Sequence, residues 1–144
     1  QGLITKDGAK MSKSKGNVVS PDEFVEKYGS DVFRMYLMFM GPFTEGGDWN
    51  DRGITGIARF AQRVWDVISA EHVVKDSAEV LRLLHTSIKK VGEDIEVFHF
   101  NTAISSLMQL TNSALKDGMS KASKIILAQV IARLNRDRDK AARL

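Results

Sequence analysis

The apolar residues of this chain recur mostly every three or four positions, which is the spacing of amphipathic helices. Between residues 51 and 69 they form one stripe: Ile54, Ile57, Ala58, Ala61, Val64, Trp65 and Ile68. Three more helices with such stripes are predicted to begin near Ser77, Asn101 and Ser120. The connections between them are short, which favours antiparallel neighbours. The pattern therefore predicts an all-α fold whose body is an antiparallel helical bundle.

Each of the three later helices presents one apolar face to the predicted core. The predicted core positions are Leu81, Leu84, Ile88, Val91 and Ile95 in the first, Ala103, Ile104, Leu107, Leu110 and Ala114 in the second, and Ile126, Leu127, Val130, Ile131 and Leu134 in the third. Gly118 should stop the second of them. Trp49 and Trp65 are predicted to pack in the core or at a helix entry instead of stacking on bases.

Two shorter helices are predicted ahead of the bundle. Residues Ser20–Glu23 fit a capping box with proline at the first helical position, and Gly29 should end that helix. The next helix runs from Ser30 to Met40 and is apolar nearly all round, which predicts burial. Asn50 is placed to cap the long helix that follows.

The remaining segments lack a regular period. Residues 1–20 are rich in glycine, lysine and serine, which predicts an extended, mobile loop with at most a short strand at Gly2–Thr5. Residues 43–49 are predicted to form an irregular connection. No segment has the alternation that would build a sheet.

Composition excludes several classes of protein. The 144 residues contain no cysteine, which excludes disulfides, thiolate catalysis and cysteine-ligated zinc. The three histidines lack the i, i+4 spacing of a helical metal pair, so no metal site is predicted. Neither a signal peptide nor an apolar run of about 20 residues is visible, and a cytoplasmic location is expected. Because the chain starts at Gln1, we expect it to be part of a longer protein.

Positive charge is concentrated at both ends of the chain, although the net charge is only +3. Residues 1–20 hold four lysines and one aspartate, and residues 133–144 hold five basic and two acidic residues. Such a distribution suits a polyanionic partner, although charged runs of this kind are more often a solvated surface.

The segment Lys10-Met11-Ser12-Lys13-Ser14, here called the signature loop, carries the clearest chemistry. Its two lysines place mobile positive charges where they could reach several phosphate oxygens. Serine hydroxyls and backbone N–H groups add neutral donors, and Gly8 and Gly16 could act as hinges. By residue type alone such a segment is more often a solvated loop. The glycine spacing of a Walker loop is missing.

The same five residues match the signature of class I aminoacyl-tRNA synthetases. The match continues in register through Gly16–Glu23 and Tyr28–Arg34, so the chain is identified as a member of that family. Met35–Pro42, Trp49–Trp65 and Phe98–Ile104 resemble its leucyl branch.

The resemblance implies an enzyme that activates leucine with ATP and transfers it to tRNA(Leu). In the complete enzyme ATP enters as a substrate, normally with Mg²⁺. All five residues of the signature loop would contact ATP, and Lys13, assisted by Lys10, would stabilise the charge that develops on the pyrophosphate. Met11 would anchor the loop, and Ser12 and Ser14 would add contacts. Residues 1–41 would form this loop and the stem-contact helices, and residues 42–144 a tRNA-binding bundle of the anticodon-binding-domain type.

Arg52, Arg59 and Arg63 are the predicted tRNA contacts. They lie opposite the apolar stripe of their helix and could meet phosphates. The alternative is an ordinary charged outer face, with Arg63 paired to Asp66. In the leucyl branch this bundle generally supports the body of the tRNA, so shape and phosphate contacts are expected instead of base reading.

Two other functions stay open at this point. One is an isoleucyl, valyl or methionyl enzyme, and the other is a stand-alone helical RNA-binding module. The histidine-containing partner signature of the family is absent from these 144 residues. The chain alone should therefore be unable to activate leucine, because it needs an N-terminal catalytic domain, and no cofactor is expected to bind it by itself.

Overall fold

The computed structural model describes residues 2–71 and 74–141, and the side chains up to residue 135. The helices within those ranges are α1 (Pro21–Tyr28), α2 (Ser30–Phe39), α3 (Gly53–Ser69), α4 (Ala78–Glu96), α5 (Phe100–Asp117) and α6 (Lys121–Ala141). The strands are β1 (Leu3–Lys6), β2 (Ala9–Lys10) and β3 (Gly46–Trp49), and a 3₁₀ turn covers Lys13–Lys15. Every predicted helix is present, so the mainly helical fold is confirmed. None of these helices is both long enough and apolar enough to span a membrane.

The chain divides into two compact units, residues 1–61 and 62–144. Helix α3 begins in the first unit and ends in the second. The predicted boundary between residues 41 and 42 separates two functions, not two compact units, and it stays a prediction.

A small sheet in the first unit corrects the expectation that the chain builds none. Strand β1 lies in the middle, antiparallel to β2 and parallel to β3, where Leu3 pairs with Gly46. The predicted irregular connection 43–49 thus contains a strand. Gly46 has a φ of +81°, and a Cβ there would lie 2.1 Å from the Leu3 carbonyl oxygen. The parallel pairing therefore requires glycine, whereas two- to four-residue strands are too short to show a period.

An aromatic cluster around Trp49 forms the core of the first unit. Its indole is 4% exposed, and its centroid lies 4.8 Å from that of Phe24 and 5.0 Å from that of Tyr36, both in edge-on geometry. The Tyr36 hydroxyl donates to the Asn50 carbonyl at 2.8 Å and accepts from the Asn50 N–H at 3.1 Å. Burial raises the pKa of Tyr36. The predicted helix-entry packing of Trp49 is confirmed.

The predicted helix caps have mixed outcomes. The Ser20 side chain makes no capping hydrogen bond, so the capping-box prediction for α1 is wrong. The Asn50 side chain accepts from the Arg52 N–H at 2.8 Å, immediately before α3 begins. The Ser77 hydroxyl accepts from the Val80 N–H and caps α4, as predicted. Gly118 follows the end of α5 with a φ of +81°, again as predicted.

Polar side chains show that α4 and α5 run antiparallel. The Ser87 hydroxyl lies 2.9 Å from that of Ser106, and the Thr102 hydroxyl donates to the Asp94 carboxylate at 2.6 Å. A later position on α4 thus meets an earlier one on α5, which is the mark of an antiparallel pair. On α5, all of the predicted core positions are buried: Ala103, Ile104, Leu107, Leu110 and Ala114.

The predicted core stripe of α4 is partly wrong. Leu81 is 40% exposed and Ile88 is 39% exposed. The buried positions of this helix are Val80, Leu84, Ser87, Val91 and Asp94. Two of the five are polar but hydrogen-bonded to α5, and an apolar pattern cannot reveal such positions.

Trp65 also departs from its prediction, because its side chain is 66% exposed. The buried positions of α3 include Phe60 and Val67, which flank Trp65 along the chain without sharing its side of the helix. Helical geometry separates residues 65 and 67 by about 200° around the axis, so only one of them can face the core. The core-packing prediction for Trp65 is wrong.

Asp76 joins the starts of α4 and α6 in the second unit. Its carboxylate accepts from the Ser120 N–H at 2.8 Å, from the Ser120 hydroxyl at 2.6 Å and from the Ser123 hydroxyl at 2.8 Å. Nearby, the buried Lys124 donates its ammonium to the Ala70 carbonyl at 2.6 Å. The N-terminus of α6 is therefore capped by a residue from the connection between α3 and α4.

Replacing Asp76 by alanine should lower the free energy of unfolding by about 1–3 kcal/mol, since three donors lose their acceptor. Burial raises the pKa of Asp76, but the hydrogen bonds from Ser120 and Ser123 outweigh it and leave the pKa below 3.8. The stabilisation should therefore be complete above that pH and be lost as pH falls through the lower pKa of the folded state. Urea unfolding at neutral and acid pH measures both effects. An equal loss in the exposed control Glu71→Ala would contradict the assignment.

Candidate functional site

A tight turn introduces the signature loop. Lys6 pairs with Ala9 in the β1–β2 hairpin. The two residues between them both have positive φ, 53° at Asp7 and 71° at Gly8. Two left-handed residues form a type I′ turn, for which Asp-Gly is a strong sequence signal. The sequence contains this signal at Asp7-Gly8, and the hinge prediction for Gly8 takes no account of it. Residues 3–10 are therefore a hairpin and not an extended loop.

Asp48, on β3, ties this hairpin to the neighbouring strand. Its carboxylate accepts from the Thr5 hydroxyl at 2.6 Å and from the Gly8 N–H at 3.0 Å. These two bonds, first the one from Thr5 and then the one from Gly8, lower the pKa of Asp48. The sequence offered no sign of this contact, which joins residues about forty positions apart.

Removing the Asp48 carboxylate should loosen the turn that precedes the signature loop. In Asp48→Ala the Gly8 N–H loses its acceptor, so its hydrogen exchange should become faster. In the unchanged chain, acid should lower the protection of this amide, which is its exchange relative to an unprotected amide at the same pH, as pH falls through the lowered pKa of Asp48. Amide exchange followed by NMR measures this, with the exposed Glu45→Ala as the matched control. Equal exchange rates at Gly8 in wild type and Asp48→Ala would contradict the role.

The signature loop itself is a compact turn. The Lys15 N–H donates to the Ser12 carbonyl and the Gly16 N–H to the Lys13 carbonyl, each at 3.2 Å. Gly16 ends the turn in the left-handed region, with a φ of 65°. The hydroxyls of Ser12 and Ser14 lie 3.2 Å apart. The hydrogen bonds of this turn therefore involve Ser12, Lys13 and Ser14 of the predicted ATP site.

Asn17 closes this turn with its side-chain amide. Its Oδ1 accepts from the Ser12 N–H at 2.8 Å, and its Nδ2 donates to the Lys10 carbonyl at 3.2 Å. Sequence reasoning assigned no role to Asn17. The only available signal was its position immediately after Gly16, where a side chain that bonds to nearby backbone is common.

The residues of the signature loop differ in their exposure to solvent. Lys10, Lys13 and Ser14 are exposed, whereas Met11 and Ser12 are half-buried. Two ammonium groups on long stems in solvent can meet a polyanion, and a half-buried Met11 suits an anchor. Chemically, the loop can offer positive charge and neutral donors to phosphate oxygens.

The structure places the three arginines at different exposures. Arg52 precedes α3 and is exposed, Arg59 is exposed on α3, and Arg63 is half-buried. The Arg63 guanidinium donates to the Asn112 side chain at 3.0 Å, and Asp66 accepts from Gln62 at 2.9 Å. Of the basic C-terminal run, the side chains of Arg136, Arg138, Lys140 and Arg143 lie outside the described residues.

Comparisons with known proteins agree on one family. The family model described as tRNA synthetases class I (I, L, M and V) matches residues 1–50. The leucine–tRNA ligase of Thermotoga maritima is 53% identical over 126 residues, which cover 78% of this chain and 15% of that enzyme. The leucine–tRNA ligase of Dehalococcoides mccartyi is 46% identical over 121 residues, covering 81% and 15%. The chain thus spans about 15% of the length of these relatives.

A solved structure shows the same likeness in three dimensions. It is a ternary complex of Agrobacterium radiobacter K84 LeuRS with tRNA and LeuAMS. The TM-score is 0.79 at 29% identity, and the similarity covers 95% of this chain and 21% of that one. Sequence and fold lead to the same conclusion: this chain belongs to the class I aminoacyl-tRNA synthetases, and the relatives it resembles here are leucine–tRNA ligases.

Proposed function

We propose that this chain is the part of a leucine–tRNA ligase that contacts the phosphates of ATP and supports tRNA(Leu). The observation that carries the proposal is Lys13, exposed on a turn whose sequence is the family signature. This turn falls within the residues that the class I family model matches. Leucine, ATP with its Mg²⁺, and tRNA(Leu) are then the substrates of the complete enzyme, and we place that enzyme in the cytoplasm.

The role of the signature loop follows from where charge develops in the reaction. The leucine carboxylate attacks the α-phosphorus of ATP, the bond to the bridging oxygen breaks, and pyrophosphate leaves with the additional negative charge. The Lys13 ammonium stabilises that charge as it grows, with Lys10 assisting. An interaction that strengthens toward the transition state raises the rate, whereas one that is equally strong in the bound substrate does not. Met11 anchors the loop, and Ser12 and Ser14 donate to phosphate oxygens.

Arg52, Arg59 and Arg63 are proposed to contact the phosphate backbone of the tRNA. The hydrogen bond that the Arg63 guanidinium donates to Asn112 holds the guanidinium in one orientation, which reduces the entropy lost when it meets a phosphate. Arg52 and Arg59 offer exposed guanidinium groups. Phosphate contacts of this kind position a nucleic acid without reading its sequence.

Grafting tests the assignment to leucine. This chain would replace the matching segment in the Thermotoga maritima leucine–tRNA ligase and, separately, in an isoleucine, a valine and a methionine enzyme. Aminoacylation of the host's own tRNA is the measurement. We expect activity in the leucine host only, because the segment must fit the surrounding catalytic domain. Activity in another host together with none in the leucine host would favour the alternative family branch. Folded grafts that bind RNA but are inactive in every host would favour a stand-alone RNA-binding module.

A further inference from the structure

We propose that Asn17 is the positioning residue that holds the signature loop in its working shape. The inference rests on the proposed function, which assigns the loop to ATP. Asn17 is half-buried and lies beside the loop's backbone, whereas Lys10 and Lys13 are exposed to solvent. It therefore acts on the reaction through the loop and not by touching the substrate.

The geometry of the Asn17 amide is that of a two-pronged clamp. Its oxygen holds the Ser12 N–H at 2.8 Å, and its nitrogen holds the Lys10 carbonyl at 3.2 Å. These two backbone groups lie on either side of Met11. Of the standard side chains, only those of Asn and Gln carry an acceptor and a two-proton donor on one planar group. A single side chain thus fixes the backbone on both sides of Met11.

The clamp is continuous with the turn that carries Lys13. Ser12 is held twice: its N–H donates to Asn17, and its carbonyl accepts from the Lys15 N–H at 3.2 Å. Lys13 follows Ser12 directly, and its own carbonyl accepts from the Gly16 N–H. Without Asn17, the turn loses the side-chain hydrogen bonds that join it to Lys10 at the end of β2, while the two backbone hydrogen bonds within the turn remain. Lys13 should then occupy a wider range of positions.

When the Lys13 ammonium occupies a wider range of positions, kcat falls more than the affinity for the substrate does. A misplacement of about 1 Å in a catalytic group can cost roughly 10²-fold in rate. We therefore expect Asn17→Leu, which keeps the size and removes both hydrogen bonds, to lower kcat of amino-acid activation by about 10- to 100-fold. The KM for leucine should stay within about twofold, since leucine binding does not depend on the loop.

The test uses the graft in the Thermotoga maritima enzyme and leucine-dependent ATP–pyrophosphate exchange. Asn17→Asp keeps the acceptor for Ser12 but turns a charged oxygen toward the Lys10 carbonyl, so its kcat should fall at least as far as that of Asn17→Leu. Val18→Ala, a change at the exposed neighbouring residue, is the matched control and should leave kcat unchanged. In the chain alone, the Ser12 amide should exchange faster in Asn17→Leu, and the thermal midpoint should fall by no more than about 4–8 °C, the shift that ~1 kcal/mol produces in a small domain.

A double-mutant cycle with Lys13 separates positioning from a general loss of structure. If Asn17 acts through Lys13, removing Asn17 should add little once Lys13 is gone. The kcat of the double variant Lys13→Ala/Asn17→Leu should then lie within about twofold of that of Lys13→Ala. Independent, multiplying losses would overturn the inference. A wild-type kcat in Asn17→Leu together with a large loss in Lys13→Ala would also overturn it, and would leave the proposed function standing. No loss in Lys13→Ala would instead contradict the proposed function itself.

Discussion

Replacing Lys13 by alanine is expected to lower leucine-dependent ATP–pyrophosphate exchange by about 10²–10³-fold, the range measured when one preorganised donor to a developing charge is removed. The physical reason is that the Lys13 ammonium meets the pyrophosphate most strongly when its additional charge has formed. The loss should therefore fall on kcat, with the KM for leucine nearly unchanged. The graft in the Thermotoga maritima ligase is the protein to measure.

Lys15→Ala is the matched control for that experiment. It removes the same charge two residues away, from another exposed position in the same turn. In a 3₁₀ turn with about three residues per turn, residues 13 and 15 project about 120° apart, so Lys15 should not reach the same phosphates. Lys10→Ala should give a smaller loss than Lys13→Ala. Similar losses in Lys13→Ala and Lys15→Ala would mean that net charge, and not position, governs the rate.

The second large effect concerns stability. Leu84 is 2% exposed on α4, whereas Leu81, one turn earlier, is 40% exposed. Leu84→Ala should lower the free energy of unfolding by about 2–5 kcal/mol, because it leaves a cavity among packed side chains. Leu81→Ala should cost less than about 1 kcal/mol, since much of that side chain already contacts water. Urea unfolding of the chain, followed by circular dichroism, measures both.

This pair of substitutions compares identical chemistry at two positions of one helix. Both deletions remove the same atoms and alter helix propensity equally, so the difference between them reports burial alone. Equal losses of unfolding free energy would mean that α4 packs its core side with the face predicted from the sequence, which contains both leucines, and not with the face seen in the structure. A difference of the opposite sign would contradict the packing of α4 outright.

Where apolar spacing and core packing coincide, the sequence was sufficient. Helix α5 illustrates this, because its buried face contains apolar residues at every predicted position and Gly118 ends it. Ser77 likewise predicts the start of α4, since its hydroxyl accepts a hydrogen bond from an N–H group of the first turn. Such features depend on residues close together in the chain, and local patterns are enough to predict them.

The prediction failed where distant residues decide the packing. The core face of α4 includes Ser87 and Asp94, which are buried because α5 supplies their hydrogen-bond partners. Trp65 fits the apolar stripe of α3 but lies outside it in the structure. Hydrophobicity indicates which residues would gain from burial, whereas the neighbouring helix determines which residues are buried.

The candidate site divides in the same way. The five residues of the signature loop were recognisable because their order is itself the signal. Asp48 and Asn17, which support the loop, were not recognised, because a single Asp or Asn carries no pattern. The Asp7-Gly8 turn is an intermediate case: its two residues are a known hairpin signal, but the strands beside it are very short.

The most direct test of the central claim is leucine-dependent ATP–pyrophosphate exchange by three proteins. They are the Thermotoga maritima ligase with this chain grafted in, the same ligase with that segment deleted, and this chain alone. If the chain supplies the phosphate-contacting part of a leucine–tRNA ligase, the graft should reach within about tenfold of the natural enzyme, a difference of roughly 1.4 kcal/mol in barrier height. The deleted ligase and the isolated chain should both be inactive. A graft that folds and binds leucine but exchanges no faster than the deleted ligase would contradict the claim.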